Sequence, residues 1–445
     1  MTDSLTEGLH EPTGRHGLRA AAQDDRTTVM VVSPHSPEAK SRPRVVLLGG
    51  DELSRQLAIA LRRLGAEVIA VDEHPDAPAH RAADQSLVVT MTDADKLSAL
   101  IGGLKPDFVV NLAEAISLDA LGALDACAAD GDKQFFELVP SARSLRITAD
   151  RAGLRGLAAD QLGLPTAPFW FVGSVGELRA VAAHAGYPLL VKPAAGVAGH
   201  RQSVVAGPED VEPAWQQAVG PRAGSAQPRV LAETVVEAEC FVTILAVRSE
   251  GPDGPTIAFC APIGHRDADG DVLESWQPQH MSEAALDAAK SIAARIVKAL
   301  GGRGVFGVEL MINGDEVYFA DVTPYPRDSA WVTVRSQRLS AFDLQARAIL
   351  GLPVDSVMIS PGAARVISPG HTAGGPPSAP ASDALIGALA VPESDVQVFG
   401  PVAGAEPAGA KQKLGVALAT GPDLATARDR ARKVATALDV PDSRR

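Results

Sequence analysis

The sequence predicts a mixed α/β protein of two or three domains, and three observations carry that prediction. The apolar run VVLLGG (45–50), a helical period (51–65) and a second apolar run, AEVIAVD (66–72), form a βαβ unit of the doubly wound kind. A strand, a glycine loop and another strand follow one another in YPLLVKPAAGVAGHRQSVV (187–205). Two β-branched-rich runs flank Asn313-Gly314 in VFGVELMINGDEVYFADVTPYPRD (305–328), which is a hairpin signal. At 445 residues the chain is long enough for such a set, and 46% hydrophobic content is that of a globular rather than a disordered chain.

Residues 1–42 are polar, rich in Pro, His, Asp and Ser, and lack the apolar centre of a signal peptide, so they read as a disordered leader. Order begins at Arg44. In the first βαβ unit Gly65 is the expected helix cap. The turn from Gly49 to Ser54 is not G-x-G-x-x-G, so although Asp72 stands where a dinucleotide-binding acid would, the missing glycines argue against NAD. A helix N-terminus beside Glu52 could hold a small ligand. The pattern continues with LVVT (87–90), a helix at 93–102 and DFVVNLAEA (107–115). Glu114 falls just past a strand end, where open α/β sheets place ligand groups. The alternative for Glu52 and Glu114 is helix capping or a solvated loop.

A helical stretch at 144–162 carries Arg146, Arg151 and Arg155, which by themselves read as a solvated face. Lys192 ends a buried strand, where an ammonium needs an anionic partner and phosphate is a natural one. The loop 194–202, with Gly196 and Gly199, could lie over that anion. Two strand-like runs at 229–247 join through an acidic turn, in which Glu233, Thr234, Val235 and Val236 could offer groups to an adenine edge. Residues 262–281 read as a polar loop turning at Asp269-Gly270. An amphipathic helix is expected at 282–301, with Ser282 as its N-cap, and another helix at 341–350. After a Gly/Pro/Ala/Ser-rich loop (370–381), LIGALAV (385–391), VQVFG (396–400) and KLGVALAT (413–420) read as short strands, closed by a helix at 423–438.

Glu309 and Asp321 lie on the two arms of the hairpin, and side chains alternate along a strand. A two-residue loop at 313–314 puts them on opposite faces. A three-residue loop, 313–315, pairs Glu309 with Phe319 and puts Asp321 on the same face. It also gathers Val308, Leu310, Tyr318, Ala320 and Val322 on a core side, and is the arrangement expected here. Two acids sharing a buried face repel, and a divalent cation relieves them. Mg²⁺ takes one or two carboxylates together with phosphate oxygens, so the pair points to a metal–nucleotide site; the alternative is an ordinary pair of surface acids.

A net charge of −13 argues against nucleic-acid and anionic-membrane partners, and no run is long and apolar enough to span a membrane. Cys127, Cys240 and Cys260 form no disulfide or metal pattern, which points to a reducing, cytoplasmic setting.

Taken together, AIALRRLGAEVIAVD, YPLLVKP, CAPIGHRDADGDVLESWQPQ, ALGGRGVFGVEL, GDEVYFADV and KLGVALAT stand in the order and spacing of one family. From about Arg44 onward the chain resembles the formate-dependent phosphoribosylglycinamide formyltransferases, ATP-grasp enzymes of purine synthesis. The resemblance implies an N-terminal Rossmann-like domain (43–143), a central ATP-grasp domain (144–355) and a small C-terminal α/β domain (356–445) after the leader. It implies ATP and Mg²⁺, formate and glycinamide ribonucleotide as substrates, and a homodimer. By position it makes Glu309 and Asp321 the metal ligands, with Asp321 standing where the family has glutamate. It places Lys192 and Arg151 on phosphate, Gly199 in the phosphate loop, and Glu233, Thr234, Val235 and Val236 at the adenine hinge. Glu52, Leu53, Glu114, Asp328 and Lys413 fall at substrate positions; Lys192, Arg151 and Asp328 are the candidate catalytic groups.

Several positions depart from that pattern. Phe241 replaces the acid that accepts the nucleotide-ribose hydroxyls. His200 and Arg201 follow Gly199 in place of lysine and glycine, with the Arg201 charge a candidate substitute for the lost lysine. Tyr325 stands for an arginine, and Gln412-Lys413 for a pair of arginines. Each lost charge-assisted contact costs about 1.5–3 kcal/mol. The alternatives are therefore a relative that binds nucleotide without turnover and an ATP-grasp ligase for another carboxylate or amine.

Overall fold

In the computed structural model of the protein the described residues are 42–113, 116, 118–128, 136–194, 201–220, 229–251, 254–268, 271–367, 382–400 and 413–438. The leader, Glu114, Gly196, Gly199, His200 and Gln412 lie outside them. The first sheet is parallel: β1 (Arg44–Leu48), β2 (Glu67–Asp72), β3 (Gln85–Val88), β4 (Phe108–Asn111) and β5 (Glu137–Val139), in the order β3-β2-β1-β4-β5. Helices on both faces bury the inner strands, which explains why residues 45–48 of β1 are an unbroken apolar run. Asp51 caps the helix Glu52–Arg63 by accepting from the Ser54 N–H at 2.7 Å, and Gly65 takes a φ of +88° just after that helix. Asp72 is spent on the turn it faces: Oδ2 accepts from Gly50 N–H at 2.7 Å and Oδ1 from His74 N–H at 2.8 Å. The acid that a dinucleotide would need is thus committed to closing its own loop.

The second sheet is β6 (Phe169–Val172), β7 (Leu189–Pro193), β8 (Ser203–Val205) and β9 (Val230–Thr234), in the order β6-β9-β7-β8. The helices Val175–Ala185 and Val211–Val219 cover one face through Leu178, Ala182, Ala214 and Trp215.

The third sheet holds β10 (Cys240–Gly251), β11 (Gly254–Phe259), β12 (Ile263–Ala268), β13 (Asp271–Gln277), β14 (Gly304–Asn313), β15 (Glu316–Thr323), β16 (Gly362–Ile367), β17 (Ser394–Val398) and β18 (Gly415–Thr420). Its order is β15-β14-β10-β12-β13-β16-β18-β17, with β11 paired to β10. The C-terminal strands therefore extend the hairpin's own sheet through β13 and β16. On one face the helix Glu283–Leu300, capped by Ser282, packs Ile292 and Ile296 on Val242, Ile244, Val308 and Leu310. On the other face Leu245 and Val247 of β10 join Trp331 and Phe342 in a second core cluster. Further along that same face of β10 stand Thr243 and Phe241, where the core gives way to a cleft.

Three expectations need correction. Residues 263–268 and 271–277 are not a polar loop but the paired strands β12 and β13. LIGALAV is not a strand: the helix Ser382–Leu389 covers most of it and buries Ala388 while Ile386 stays 69% exposed. A short apolar run without period-two alternation fits either element, and contact with the helix Leu424–Leu438 decides it. The hairpin loop has two residues, Gly314 and Asp315, not three; Gly314 takes φ +58° and Asn313 pairs with Glu316. That register alone would separate the acids. A bulge at Ala320 shifts the pairing by one, and Glu309 becomes the direct partner of Asp321. The core side of the hairpin is Val308, Leu310, Ile312, Val317, Phe319 and Val322, so Tyr318 and Ala320 do not belong to it.

Candidate active site

A cleft of about 250 Å³ opens between the second and third sheets. Lys192 of β7 and Glu233 of β9 line one wall; Glu309 of β14, Asp321 of β15, Phe241 of β10 and His265 of β12 line the other. Arg151, Thr234, Val235, Val236 and Asp328 also face it. The sequence-predicted phosphate, hinge and metal residues among the described ones thus converge on one cavity.

Glu233 is the electrostatic centre of the first wall. Lys192 Nζ donates to Oε2 at 2.6 Å, and Arg155 Nη2 lies 2.5 Å from Oε1. Burial alone would raise this carboxyl, which is 4% exposed, but the charges of Lys192 and Arg155 outweigh burial and hold it below its ordinary value. Lys192 keeps a partly exposed ammonium at the cleft edge, so a phosphate can approach it from the open side. Arg155 also donates to the Phe319 carbonyl at 3.3 Å and lies over the Phe319 ring, which ties the two walls together.

Arg151 and Arg155 are buried, not on a solvated face; of the three helical arginines only Arg146 fits that reading, pairing with Asp125 near the surface. The two lie one helical turn apart and so share a side. Arg151 Nη1 donates to the Pro193 carbonyl at 2.8 Å. Burial draws its guanidinium below its ordinary value, although the carboxylates of Asp321 and Glu233 pull the other way.

On the opposite wall burial raises the Glu309 carboxyl, and the Asp321 carboxylate raises it further against the pull of His265. His265 and Arg327 only partly offset the pair, since the Glu309 carboxyl stays raised. Among the described residues no group of three or more His, Cys, Asp or Glu side chains is gathered for a metal. The pair suits a hard cation that completes its shell with substrate oxygens, not a closed protein cage.

The described residues expected at substrate positions are Asp328, Lys413, Glu52 and Leu53. Lys413 Nζ meets Asp328 Oδ2 at 2.5 Å, and Trp331 Nε1 donates to Asp328 Oδ1 at 3.2 Å. Glu52 Oε1 accepts from Gly400 N–H at 3.1 Å, and Leu53 packs on the cluster of Trp331 and Phe342. Burial raises the Glu52 carboxyl, opposed by Arg55 at 3.1 Å. Phe399, next to Gly400, packs tilted against Trp331 with ring centroids 5.5 Å apart, so the β1 turn reaches the Asp328–Lys413 pair through a continuous set of contacts. Glu114 and Gly199 are the site candidates outside the described residues.

Sequence reasoning missed Arg155, His265 and Asp267. His265 is 7% exposed; its Nδ1 is 2.9 Å from Asp267 Oδ1, while Nε2 is buried without a hydrogen-bond partner. Burial would lower this imidazole, but Asp267 and Glu309 raise it. Its ring lies 6.3 Å from that of Phe241. The i, i+4 spacing of Arg151 and Arg155 could have revealed Arg155. No local signal marks His265, because only pairing of β12 with β10 brings it to the cleft. Arg201 takes a left-handed φ of +54° and donates to the Val219 carbonyl at 3.1 Å, while its charge still acts on Arg151 at the cleft.

Fold and cleft define an ATP-grasp enzyme: residues 157–342 match the ATP-grasp domain family. A carboxyaminoimidazole ribonucleotide synthase from Aspergillus clavatus, solved with ATP, shares the fold at a TM-score of 0.74 and 22% identity, over 89% of this chain and 98% of that one. The formate-dependent phosphoribosylglycinamide formyltransferase of Burkholderia pseudomallei is 45% identical over 406 residues, covering 91% of this chain and 96% of that protein. The glycinamide transformylase T structure from Mycobacterium tuberculosis is 63% identical, with a TM-score of 0.73 over 89% of this chain and 99% of that one. The chain belongs to the formate-dependent phosphoribosylglycinamide formyltransferases. Among the described residues no helix is long and apolar enough to cross a membrane.

Proposed function

We propose that the protein formylates glycinamide ribonucleotide at the expense of ATP and formate. The observation that carries this reading is the direct pairing of Glu309 with Asp321 in the cleft that also holds the Lys192–Glu233–Arg155 ion network. Formate oxygen attacks the γ-phosphorus, the bond to ADP breaks, and formyl phosphate results. The substrate amine then attacks the formyl carbon, phosphate departs with the C–O electron pair, and the nitrogen loses a proton. Both steps crowd negative charge, so fixed cations are the main catalytic resource.

Lys192 and Arg151 are assigned to the phosphates, with Glu233 holding Lys192 in place. Glu233 to Val236 form the adenine edge, and Gly199 belongs to the phosphate loop. Glu309 and Asp321 would hold Mg²⁺, which when bound neutralises phosphate oxygens; their mutual repulsion, only partly offset by His265 and Arg327, fits that role. Glu52, Leu53, Glu114, Asp328 and Lys413 take the amine substrate. The same proposal includes the division at 43–143, 144–355 and 356–445, a homodimer and a cytoplasmic setting.

Phe241 is 47% exposed in the cleft and offers no acceptor, which favours weaker nucleotide binding than an acid there would give. The decisive assay follows ADP release with formate, with and without glycinamide ribonucleotide, against a Glu309→Gln control. Formate-dependent ADP release with formation of formylglycinamide ribonucleotide is the expected result. Equal signals from both proteins would reject the proposal, and turnover with another carboxylate alone would redirect it to a different ligase.

A further inference from the structure

On the face of the third sheet opposite the cleft, one carboxylate is surrounded by four arginines. Glu274 of β13 is fully buried, and its direct cross-strand neighbours are Arg266 on β12 and Arg365 on β16. The helix Leu424–Leu438 lays Arg428 and Arg432 over the same carboxylate from above. Arg428 Nε is 3.0 Å from Oε1 and its Nη2 is 3.2 Å from Oε2; Arg432 Nε is 3.5 Å from Oε1. Arg266 Nη2 and Arg365 Nη1 lie 3.4 and 3.9 Å from Oε2.

A structural anchor for the helix would need one of these arginines. Arg428 fills that part, with two bonds to Glu274 and its guanidinium 3.8 Å above the Trp276 ring. The other three remain in excess. A carboxylate offers about four acceptor sites, while each guanidinium carries about five N–H donors. Arg365 Nη1 is buried without a hydrogen-bond partner. Among the described residues, four arginines against one glutamate leave an excess of three positive charges around it, in a chain whose net charge is −13. Arg428 and Arg432, one turn apart, repel each other along the helix. Among the described acids, Asp267 pairs with His265, Asp429 with Lys433 and Glu393 with Arg430. Burial would raise the Glu274 carboxyl, but Arg428, Arg432 and Arg266 hold it below its ordinary value, so it stays an anion and offsets one of the four guanidinium charges.

We infer that this cluster is a second anion site, distinct from the catalytic cleft, for a diphosphate group or an equally charged phosphate ester. Guanidinium forks match phosphate oxygens in pairs. The side chains of Arg266 and Arg432 are 56% and 47% exposed, so the site is open to solvent on that side. It stands whether or not the transfer reaction is the one proposed above, since no cleft residue takes part.

The test is calorimetric titration of the full chain with inorganic pyrophosphate, without Mg²⁺ and at constant ionic strength. Four proteins are compared: wild type, Lys192→Met, the double variant Arg266→Gln/Arg432→Gln, and Glu274→Gln. The expected result is binding that survives Lys192→Met, weakens at least about tenfold in the double arginine variant, for the loss of two charge-assisted contacts, and tightens in Glu274→Gln once the competing carboxylate is gone. The arginines removed are the exposed ones, so folding is retained and Arg428 still anchors the helix. Pyrophosphate binding that is absent, unchanged in the arginine variant, or abolished by Lys192→Met would reduce the cluster to a helix anchor and overturn the inference.

Discussion

Replacing Glu309 by glutamine is expected to stabilise the ligand-free protein while abolishing its response to Mg²⁺ and ATP. Glu309 and Asp321 are direct cross-strand partners, and such pairs have Cβ atoms about 5 Å apart. Two unit charges at that distance repel by about 3 kcal/mol at an effective dielectric constant of about 20. Burial and the Asp321 carboxylate already raise the Glu309 pKa, so proton uptake relieves part of this, and about 1–2 kcal/mol is recoverable. The raised folded-state pKa sets the pH dependence. Below the unfolded value, about 4.3, both states are protonated and the penalty is absent. It grows as pH rises toward the folded value and is full above it, so the gain from glutamine follows the same course. At about 2.1 cal/mol/K per residue over roughly 400 residues, the gain is about 1–2.5 °C in Tm. Scanning calorimetry, at one pH well above and one near the ordinary carboxyl value, with and without Mg²⁺ and ATP, reads both effects. A ligand-free variant that melts below wild type, or a gain equal at both pH values, would refute the reasoning.

Glu233→Gln leaves Lys192 and Arg155 without their shared carboxylate. Breaking a buried pair costs about 3–5 kcal/mol, or about 4–6 °C in Tm by the same entropy scale, and an unchanged melting curve would contradict the network. Because Lys192 and Arg155 hold the Glu233 carboxyl low, its stabilisation is present above the ordinary carboxyl pKa and is lost as pH falls through the lowered one; pH-dependent unfolding of wild type and variant should converge at that acid end. Phe241→Glu returns an acceptor to the cleft at an exposed position and is expected to lower the KM for ATP about tenfold, the worth of one charged hydrogen bond. Steady-state ATP titrations decide this, and an unaltered KM would show that position 241 does not face the nucleotide.

Much of the site was legible because it rests on local chemistry. Lys192 at the end of a buried strand announced an anionic partner, and the structure supplies Glu233 at 2.6 Å with an open side for phosphate. The parity of Glu309 and Asp321 was legible as a requirement, though not the way it is met: a two-residue loop and a bulge at Ala320 do what a three-residue loop was expected to do. The bulge leaves no mark on the sequence, since alanine fits a regular strand as well. Arg155 was read as solvated because arginines usually are, and only the packing of its helix between β9 and β15 makes it a buried tie.

The amino-acid order alone determined the parallel βαβ start, the lysine strand, the acidic hairpin and the family these belong to, since apolar periodicity and turn residues act within a few positions of themselves. Tertiary structure alone decided that His265 faces the nucleotide cleft while Arg266, its neighbour in the chain, faces the Glu274 cluster behind it. Successive side chains of a strand must point to opposite sides, and which side meets which partner depends on strands and helices far away in sequence.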